Sequence, residues 1–530
     1  MAFQWCTEEP AANCDIYVKQ IGVEPPSRLT TDPAEDFSPA WSPDGQFIAF
    51  LRKLSPTRTA VMLIPQRGGP ERVLGESDVT YMPLYPGLLY GTYLAWTPDS
   101  KWLALNWRVA DQPDGGLFLF NVETRETRRL TTSGDNLPAF SPDGRTLAFN
   151  RGGNPNLICF LRLTKDYQPE GEPERVAAVA ESYDRDFGTA WSPDGRDIVF
   201  SSGNWASTGL WRVAASALAR PRRLAFASDG TSAPAVSRQG NRLAYVVNRT
   251  DANIWRVDLR GPGQNPGIPA RLIASTREER DPAYSPDGKR IAFMSSRSGA
   301  CEIWMSASDG SNPVQLTAFG GPIIFGPKWS PDGQNIAFTA VRAGTVGLYV
   351  VSANGGPPRR LTTHPAGNNW PYWSRDGQSL YFRSNRTSPG DIWKMPASGG
   401  EAVQITRRGG DAPQESPDGR LVYYEKGYPS QCSVWKVPAA GGEEVKVLDS
   451  THSYGGWTVG ERGIYFFTPA DKQGHSDICL YNFATGKISK ILTIERTVGY
   501  RIAVSPDERT ILYGQFDQAG SDLMLVENFR

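Results

Sequence analysis

Short apolar segments separated by polar turn residues fill the chain from one end to the other. A typical stretch reads PAWSPDGQFIAF, in which a short apolar strand is followed by the turn Ser-Pro-Asp-Gly and by a second strand with alternating apolar positions. A third strand such as EIWMSA and a fourth that ends in RLTT or QLTA usually follow. Alternation with period two is typical of strands, and no stretch keeps a helical period. The pattern therefore predicts an all-β protein.

The strand–turn–strand phrase is an internal repeat. Eleven copies occur, and one of them, GWTVGERGIYF, is degenerate. Most steps between copies are 42 to 51 residues, and the first is 55. Four antiparallel strands in a repeat of this length are typical of the blade of a β-propeller. The serine of the turn, or the residue in its place, lies at positions 42, 97, 141, 192, 237, 285, 330, 374, 416, 460 and 505.

Each residue type of the turn has its own role. Proline presets φ at the first corner, aspartate bonds its own backbone, and glycine takes the positive φ that reverses the chain. We interpret the recurring serine as a turn residue, because eleven near-copies cannot all be nucleophiles. A hydrolase elbow has glycine two residues before its serine, whereas Ser453 in THSYGGW has Thr451 there. The sequence therefore predicts no catalytic residue.

The number of repeats predicts the architecture. Eleven first strands and a partial unit, residues 1–31, that lacks its first strand give about twelve four-stranded blade units. We predict a β-propeller fold with two six-bladed propellers, residues 1–276 and 277–530. The Gly- and Pro-rich stretch Gly261 to Thr276 is the predicted linker. Two alternatives are one large ring of all the units, and two propellers in which the N-terminal strands complete the last blade.

Composition excludes several classes of function. Lys plus Arg and Asp plus Glu both number 56, so the formal net charge is zero. A protein that binds nucleic acid needs a basic face to displace counterions, and this balance argues against such a partner. No apolar run reaches the roughly 18 residues of a transmembrane helix. With 16 Trp, 20 Tyr and 22 Phe, the chain has enough apolar surface to fold.

Six cysteines do not make a disulfide framework. Five of them lie in apolar alternating segments and are predicted to behave as small core residues. Cys6 and Cys14 flank a predicted hairpin turn, and whether they pair stays open at this point. With no signal peptide in the chain as given, the expected location is cytoplasmic by default, and periplasmic if the chain was cut from a membrane-anchored regulator.

The phrase W-S-P-D-G-x-x-I-A-F resembles the TolB-type, WD40-like β-propeller repeat, and the resemblance extends over essentially the whole chain. More narrowly, RLTTDPAEDFSPAWSPDGQFIAFLR and the end SDLMLVENFR look like the propeller half of bacterial one-component regulators. In those proteins a winged-helix domain or a serine/threonine kinase domain precedes the repeats. The resemblance implies a sensory or interaction module of a bacterial signalling or assembly system.

Three aspartates stand at the same place in early blades, six residues before the turn serine: Asp36, Asp135 and Asp186. Strand entries of neighbouring blades lie at one mouth of a propeller channel, so repeated carboxylates there are candidate ligands for Ca²⁺. The alternative is that each aspartate begins its strand through a local side-chain turn. Later blades have other residue types at this offset, which favours the local role. No other cofactor is expected.

The second half of the chain offers a different group near the same offsets: Asn368, Asn369, Trp370 and Asp411. A tryptophan beside amides at a rim is typical of a protein or peptide contact. The alternative is that Trp370 packs between blades, because it directly precedes the Pro-Tyr-Trp of a strand. We treat these four residues, with the three aspartates, as candidate binding residues at a channel rim.

Three function classes remain open from the sequence, and one of them is a mainly structural role as a spacer or stabiliser inside a larger assembly. The first is a non-catalytic module that binds a protein, a peptide or another ligand. The second is a propeller-type hydrolase or lyase with a carboxylate or metal site in a channel. Clustering of titratable groups with shifted pKa values in a channel would favour the second class. We expect a binding module with a protein or peptide partner and no enzymatic activity.

Overall fold

The structure is a computed structural model in which all regular secondary structure of the described residues is β. None of these residues belongs to a helix of the length and apolar character that a membrane span requires. The described residues are 1–6, 13–55, 58–77, 93–107, 115–132, 135–151, 157–177, 188–203, 208–216, 219–238, 241–259, 265–321, 323–342, 345–427, 432–452, 455–471 and 473–529.

The Ser-Pro-Asp-Gly turns form as the residue types dictate. In the first copy, the Ser42 hydroxyl donates to an Asp44 carboxylate oxygen at 2.5 Å and accepts from the Phe47 N–H at 2.9 Å. Gly45 closes the turn with a φ of 74°. The same Ser–Asp or Thr–Asp bond recurs at positions 97/99, 141/143, 192/194, 285/287, 330/332, 374/376, 416/418 and 505/507.

Gly45→Ala is expected to lower the free energy of unfolding of its propeller by about 1–2 kcal/mol, because the left-handed conformation is costly for a residue with a Cβ. Urea unfolding, followed by pulsed alkylation of the buried Cys159, measures this change. Gly520→Ala is the matched control, since a Cβ there meets open space. We expect the control to stay within about 0.5 kcal/mol of the original protein, and an equal loss in both variants would contradict the role of Gly45.

The chain divides into two compact units: unit 1 is Met1–Arg249 with Ala519–Arg530, and unit 2 is Thr250–Gln518. Among the described residues, unit 1 contains five whole sheets and part of a five-stranded sheet, named here blades 1 to 6. Blade 1 has β1 (Ala2–Cys6), β2 (Cys14–Val18) and β3 (Ser27–Arg28); blade 2 has β4 (Asp36–Trp41), β5 (Phe47–Ser55), β6 (Arg58–Pro65) and β7 (Arg72–Ser77); blade 3 has β8 (Leu94–Trp96), β9 (Trp102–Asn106), β10 (Leu117–Asn121) and β11 (Thr127–Arg129); blade 4 has β12 (Asp135–Phe140), β13 (Thr146–Arg151), β14 (Leu157–Arg162) and β15 (Glu174–Ala177); blade 5 has β16 (Thr189–Trp191), β17 (Asp197–Ser202), β18 (Gly209–Ala214) and β19 (Arg222–Arg223); blade 6 has β20 (Thr231–Val236), residues 243–249 of β21 (Leu243–Asp258) and residues 519–526 of the last strand, β44 (Thr510–Val526).

Among the described residues, unit 2 contains the other part of the five-stranded sheet and five whole sheets, named blades 7 to 12. Its ring closes because the first strand of blade 7 contacts the first strands of blades 8 and 12. Blade 7 has β43 (Val498–Val504), residues 510–518 of β44, residues 250–258 of β21 and β22 (Ala270–Ile273); blade 8 has β23 (Glu279–Tyr284), β24 (Arg290–Ser295), β25 (Glu302–Ala307) and β26 (Val314–Gln315); blade 9 has β27 (Ile324–Trp329), β28 (Asn335–Arg342), β29 (Thr345–Ser352) and β30 (Arg359–Arg360); blade 10 has β31 (Asn368–Trp373), β32 (Ser379–Ser384), β33 (Asp391–Pro396) and β34 (Val403–Gln404); blade 11 has β35 (Asp411–Glu415), β36 (Leu421–Lys426), β37 (Cys432–Pro438) and β38 (Val445–Thr451); blade 12 has β39 (Trp457–Val459), β40 (Gly463–Phe467), β41 (Ser476–Asn482) and β42 (Ile488–Ile494).

The predicted all-β propeller fold is confirmed, with six blades in each unit. The structure divides at a different place from the predicted boundary after residue 276. Residues 250–258 and β22 complete blade 7 as its third and fourth strands, beside the C-terminal strands β43 and β44. Residues 519–530 belong to unit 1. The Gly- and Pro-rich stretch therefore includes a strand of blade 7.

Aromatic residues at the fourth position of the second strand form the core between blades. Phe50, Phe149, Phe200, Phe293 and Phe338 come from the recurring Ile-Ala-Phe or its equivalent, and all are buried. Full burial of such a side chain contributes about 1.5–3 kcal/mol. The second strand therefore lies in the middle of each blade with both faces covered.

The first strands share a β-bulge that determines which residues face the channel. In blade 2 the register shifts between Phe37 and Ala40, and Ser38 between them has a φ of 56°. The extra residue of a bulge bends the strand and redirects its side chain. The same left-handed residue, four positions before the turn serine, recurs as Leu137, Ala233, Asp281, Gly326, Trp370 and Ala412.

Candidate functional site

A cavity of about 860 Å³ lies in unit 1, bordered by the first strands of blades 2 to 6 and by β1. Its size is within the range of ligand pockets, about 300–1,000 Å³. The cavity is open because the residue two positions before the turn serine is small in every one of these blades. These residues are Ala40, Ala95, Ala139, Ala190 and Ala235.

The lining of this cavity is largely apolar. Trp96 and Trp191 border it, and each indole N–H donates at 2.9 Å to a backbone carbonyl of the preceding first strand, from Ala40 and Ala139 respectively. The ring surfaces therefore carry no unsatisfied donor. The charged side chains of the lining are Glu35, Lys53, Arg238 and Arg242. Lys53 pairs with Glu35 at 3.5 Å and Arg242 with Glu527 at 3.3 Å, so the surplus positive charge is that of Arg238.

Two of the three predicted aspartates lie elsewhere, each paired with an arginine of its own blade. Asp36 is fully buried and accepts from the Arg52 guanidinium at 2.6 and 2.7 Å. Asp135 is fully buried and accepts from Arg151 at 2.9 and 3.0 Å. Neither carboxylate borders the cavity. Asp186 and the serine of the THSYGGW motif lie outside the described residues.

The pairing of Asp36 and Asp135 bears on the proposed Ca²⁺ site. Both carboxylate oxygens of each aspartate already hold an arginine. The described residues contain no group of three or more His, Cys, Asp or Glu side chains placed to hold a metal ion. Ca²⁺ binding stays a prediction, and the geometry favours a local role for Asp36 and Asp135.

Large side chains occupy the channel positions of several first strands in unit 2, where unit 1 has alanines. The first strands of unit 2 bring Trp370 and Arg501 together, with the guanidinium carbon 4.0 Å from the ring centroid. Arg501 Nε lies 3.8 Å from a carboxylate oxygen of Asp281, whose other oxygen accepts from the Gly326 N–H at 2.9 Å. A space of only about 10 Å³ remains beside Trp370, Lys328 and Arg501, which is about the room of one water molecule.

Five titratable residues form what we call the unit 2 charge cluster: Asp281, Lys328, Asp411, Glu425 and Arg501. Burial lowers the pKa of Lys328 to about 7, with Arg501 adding to the effect. Burial raises the pKa of Asp411 to about 6 and that of Glu425 to about 7. Burial also lowers the pKa of Arg501, although the three carboxylates oppose this. Charge in this channel therefore changes near neutral pH.

The structure brings together two of the four candidates from the second half of the chain. Trp370 and Asp411 both lie at the unit 2 charge cluster, where Asp411 is 3.3 Å from Arg383. Asn368 is fully buried, and its amide donates to the Ala366 carbonyl at 2.6 Å. Asn369 is partly buried and faces Arg383 in the strand register.

Sequence analysis missed four members of the cluster: Asp281, Lys328, Glu425 and Arg501. One signal was available for Lys328, since the residue two positions before the turn serine is alanine in most copies. The exceptions come from four consecutive blades of unit 2: Lys328, Tyr372, Gln414 and Thr458. Large polar residues at a channel position indicate a filled channel. Glu425, which accepts from the Gly455 N–H and the Trp457 indole, had no such signal.

The question left open for the cysteines has an answer in blade 1. Cys6 and Cys14 are opposite each other on β1 and β2 and form a disulfide. The other four cysteines are unbonded to one another and buried. The disulfide therefore joins the two strands of blade 1 nearest the cavity of unit 1.

Comparisons with known proteins bear on the family of this chain. The family model of the TolB beta propeller domain matches residues 281–459. An uncharacterised protein of Agrobacterium fabrum is 31% identical over 224 residues, which is 40% of this chain and 70% of that protein. A tricorn protease homologue of Streptomyces coelicolor is 33% identical over 82 residues, 16% of this chain and 6% of that protein.

A solved structure described as a TolB protein from Agrobacterium tumefaciens is similar at 22% identity with a TM-score of 0.43. The match covers 51% of this chain and 99% of that one. The sequence matches, with the repeated Ser-Pro-Asp-Gly turns and the six-bladed units, determine the family. The chain belongs to the TolB-type β-propeller family.

Proposed function

We propose that this protein is a non-catalytic binding module whose unit 1 cavity takes an extended, largely apolar peptide segment of a partner protein. The observation that supports this most is the open cavity of about 860 Å³ with a mainly apolar lining. In unit 2, by contrast, the space beside Trp370, Lys328 and Arg501 is about the size of one water molecule. Binding is therefore assigned to unit 1.

A peptide suits this cavity for two reasons. The first strand of a blade is an edge strand, whose outer N–H and C=O groups can bond a peptide backbone. Lys53 pairs with Glu35 and Arg242 with Glu527, so Arg238 is the lining cation that no ion pair among the described residues neutralises. We therefore expect an apolar segment flanked by acidic residues, since complementary charge steers such a partner to the site.

Ala235→Arg is expected to weaken peptide binding at least about tenfold, or about 1.4 kcal/mol. Ala235 is exposed and borders the cavity, so a long charged side chain there obstructs the site without removing core packing. The measurement uses twelve-residue peptides selected by display on the full chain, with affinity read by fluorescence anisotropy.

Ala214→Arg is the matched control, because Ala214 is an exposed strand residue of blade 5 that does not border the cavity. We expect it to leave affinity unchanged. If no peptide is selected, or if Ala235→Arg and Ala214→Arg bind equally well, the proposed function is wrong.

Hydrolase or lyase activity is the second candidate, and the unit 2 charge cluster is the observation that favours it. Lys328, Asp411 and Glu425 have pKa values shifted toward neutrality, which is common among catalytic groups. The room beside them is too small for a substrate. Turnover of a mixed peptide and ester library that disappears in Lys328→Met would favour this candidate over the binding module.

A further inference from the structure

The small space in the channel of unit 2 has a basic lining. This space of about 10 Å³ is bordered by first strands of blades 7, 9, 10 and 11. The charged residues that border it are Lys328 and Arg501, and the others are glycine, alanine, prolines, aromatic residues and Gln414. No carboxylate of the described residues belongs to this lining. Charge of one sign along a confined wall favours a ligand of the opposite sign.

Arg501 is a buried cation with donors that the described residues do not use. Its side chain is 6% exposed, and its guanidinium packs on the Trp370 ring. Its Nε and Nη2 atoms have no hydrogen-bond partner among the described residues, since the Asp281 carboxylate oxygen lies 3.8 Å from Nε. Burial of a charged donor without a partner is costly, and such a donor is one indication of a bound water or ion.

Lys328 is the second cation at this space. Its ammonium nitrogen lies 5.4 Å from the centre of the Tyr372 ring. None of the residues that the structure describes forms a hydrogen bond or an ion pair with this ammonium. Burial lowers the pKa of Lys328 to about 7, and the like charge of Arg501 adds to this effect. An anion beside both side chains opposes both causes.

The three carboxylates of the unit 2 charge cluster have partners of their own. Asp281 accepts from a backbone N–H at 2.9 Å, and Asp411 lies 3.3 Å from Arg383. Glu425 accepts two hydrogen bonds, at 2.9 and 3.1 Å. None of the three borders the space. Their charges act on Arg501 from a distance, and the space itself is left to its two cations.

We propose that the space beside Lys328 and Arg501 is a binding site for a monatomic anion, with chloride as its ligand. The proposal does not rest on the proposed function, which concerns unit 1. Charge-assisted hydrogen bonds from the ammonium and the guanidinium hold the ion. The size of the space selects it, because room for about one water molecule favours an ion of one atom over sulfate, phosphate or a carboxylate.

The test measures chloride binding to the full chain by the line width of the chloride magnetic resonance signal, which broadens when the ion binds. Gluconate replaces chloride at constant ionic strength, so general screening stays the same. Bromide is expected to compete for the site, and sulfate at equal ionic strength is not. Lys328→Met is expected to weaken chloride binding at least about tenfold, because it removes a charged donor.

Lys394→Met is the matched control for Lys328→Met. Lys394 is also a half-buried lysine of unit 2 beside a tyrosine, with its ammonium 4.8 Å from the centre of the Tyr381 ring. It does not border the space, so its removal is expected to leave chloride affinity within about twofold of the original.

Unfolding gives a second readout that needs no variant. An ion that binds folded unit 2 stabilises it, so chloride is expected to raise the urea midpoint reported by Cys432 and to leave that of Cys159 unchanged. The rise is expected to be larger at pH 6 than at pH 9, because Lys328 loses its charge between them.

Three results overturn the proposal. The first is a line width and a Cys432 midpoint that do not respond to chloride, because water is then the occupant. The second is equal chloride binding by Lys328→Met and Lys394→Met. The third is displacement of chloride by sulfate as readily as by bromide, since the site then does not select a single atom.

Discussion

Arg52→Met is expected to lower the free energy of unfolding of unit 1 by about 3–5 kcal/mol, because it leaves the buried Asp36 carboxylate without its cation. Arg52 and Asp36 are both buried, and Arg52 also donates to Glu71 at 2.6 Å. Burial alone would lower the pKa of Arg52, and the hydrogen bonds that Arg52 donates to Asp36 and Glu71 more than reverse this. Burial raises the pKa of Asp36 despite the bonds from Arg52 and Thr30.

The measurement is urea unfolding followed by pulsed alkylation and mass spectrometry, which separates the two units. Cys159 is buried in unit 1 and Cys432 in unit 2. We expect the midpoint for Cys159 to fall in Arg52→Met and the midpoint for Cys432 to stay. Arg151→Met is the matched variant, with a smaller expected loss because the Arg151 side chain is 30% exposed and that of Arg52 is 8% exposed.

A second substitution separates pairing from metal binding. Asp36→Asn in the Arg52→Met background is expected to recover part of the lost stability, since no buried charge is then left unpaired. Ca²⁺ and a chelator are expected to leave both midpoints unchanged. If Ca²⁺ restored the stability of Arg52→Met, Asp36 would be a cation ligand, as the sequence pattern alone allowed.

The blades were predictable because each is a local structure. The turn Ser42 to Gly45 and the strands on either side of it are specified by consecutive residues, and the structure forms them as expected. The division of the chain was not predictable in the same way. Beside blade 7, the Leu259 N–H donates to the backbone carbonyl of Arg509. These residues are about 250 positions apart, and no local sequence pattern indicates a pairing over such a distance. The Gly- and Pro-rich stretch pointed to residue 276 instead.

The sequence contained a signal for the arginine partners of Asp36 and Asp135, which is a constant spacing between acid and arginine. Asp36 and Arg52 are 16 residues apart, and so are Asp135 and Arg151. In both blades the antiparallel register places the two residues opposite each other. A charge pair at a constant spacing across a predicted hairpin indicates a cross-strand ion pair. Taken alone, the aspartates resembled a metal site.

The contrast between the two channels follows from side-chain size at equivalent positions. In unit 1 the bulge residue is Ser38, Leu137 or Ala233, and the residue two positions later is alanine. In unit 2 the equivalent positions include Trp370 and Arg501. The same bulged first strand therefore borders an open cavity in unit 1 and a charged cluster of large side chains in unit 2. Which charges meet in a channel depends on packing between blades, so it was not visible in the sequence.

The contribution of the unit 2 charge cluster to the free energy of unfolding of unit 2 is expected to pass through a minimum near pH 7. The raised pKa of Glu425, about 7 against an ordinary 4.5, means that folded Glu425 keeps a proton that the unfolded chain has lost. Its contribution is therefore complete below about pH 4.5 and is lost as pH rises to about 7. Asp411, with a pKa of about 6, acts in the same direction.

Lys328 causes the rise in stability on the alkaline side of this minimum. Its pKa is lowered from 10.5 to about 7, so the folded state loses a proton that the unfolded chain still binds. Stability therefore rises again as pH increases from about 7 toward 10.5. Lys328→Met is expected to remove this rise and leave the acidic side unchanged. A profile that keeps its alkaline rise in Lys328→Met would contradict the assignment.

Glu425→Gln is expected to raise the stability of unit 2 at pH 8 by up to about 3 kcal/mol, the free energy of a pKa shift of roughly two units. The amide oxygen still accepts from the Gly455 N–H and the Trp457 indole, so the two hydrogen bonds at 2.9 and 3.1 Å are kept while the buried charge is removed. Urea midpoints reported by Cys432 are measured from pH 5 to pH 9, with Cys159 as the internal control. In the variant the curve is expected to be flatter between pH 5 and 7. If the variant instead lost stability at pH 8, the Glu425 carboxylate would be needed in its charged form, as a partner of Arg501, and the sign of the argument would be reversed.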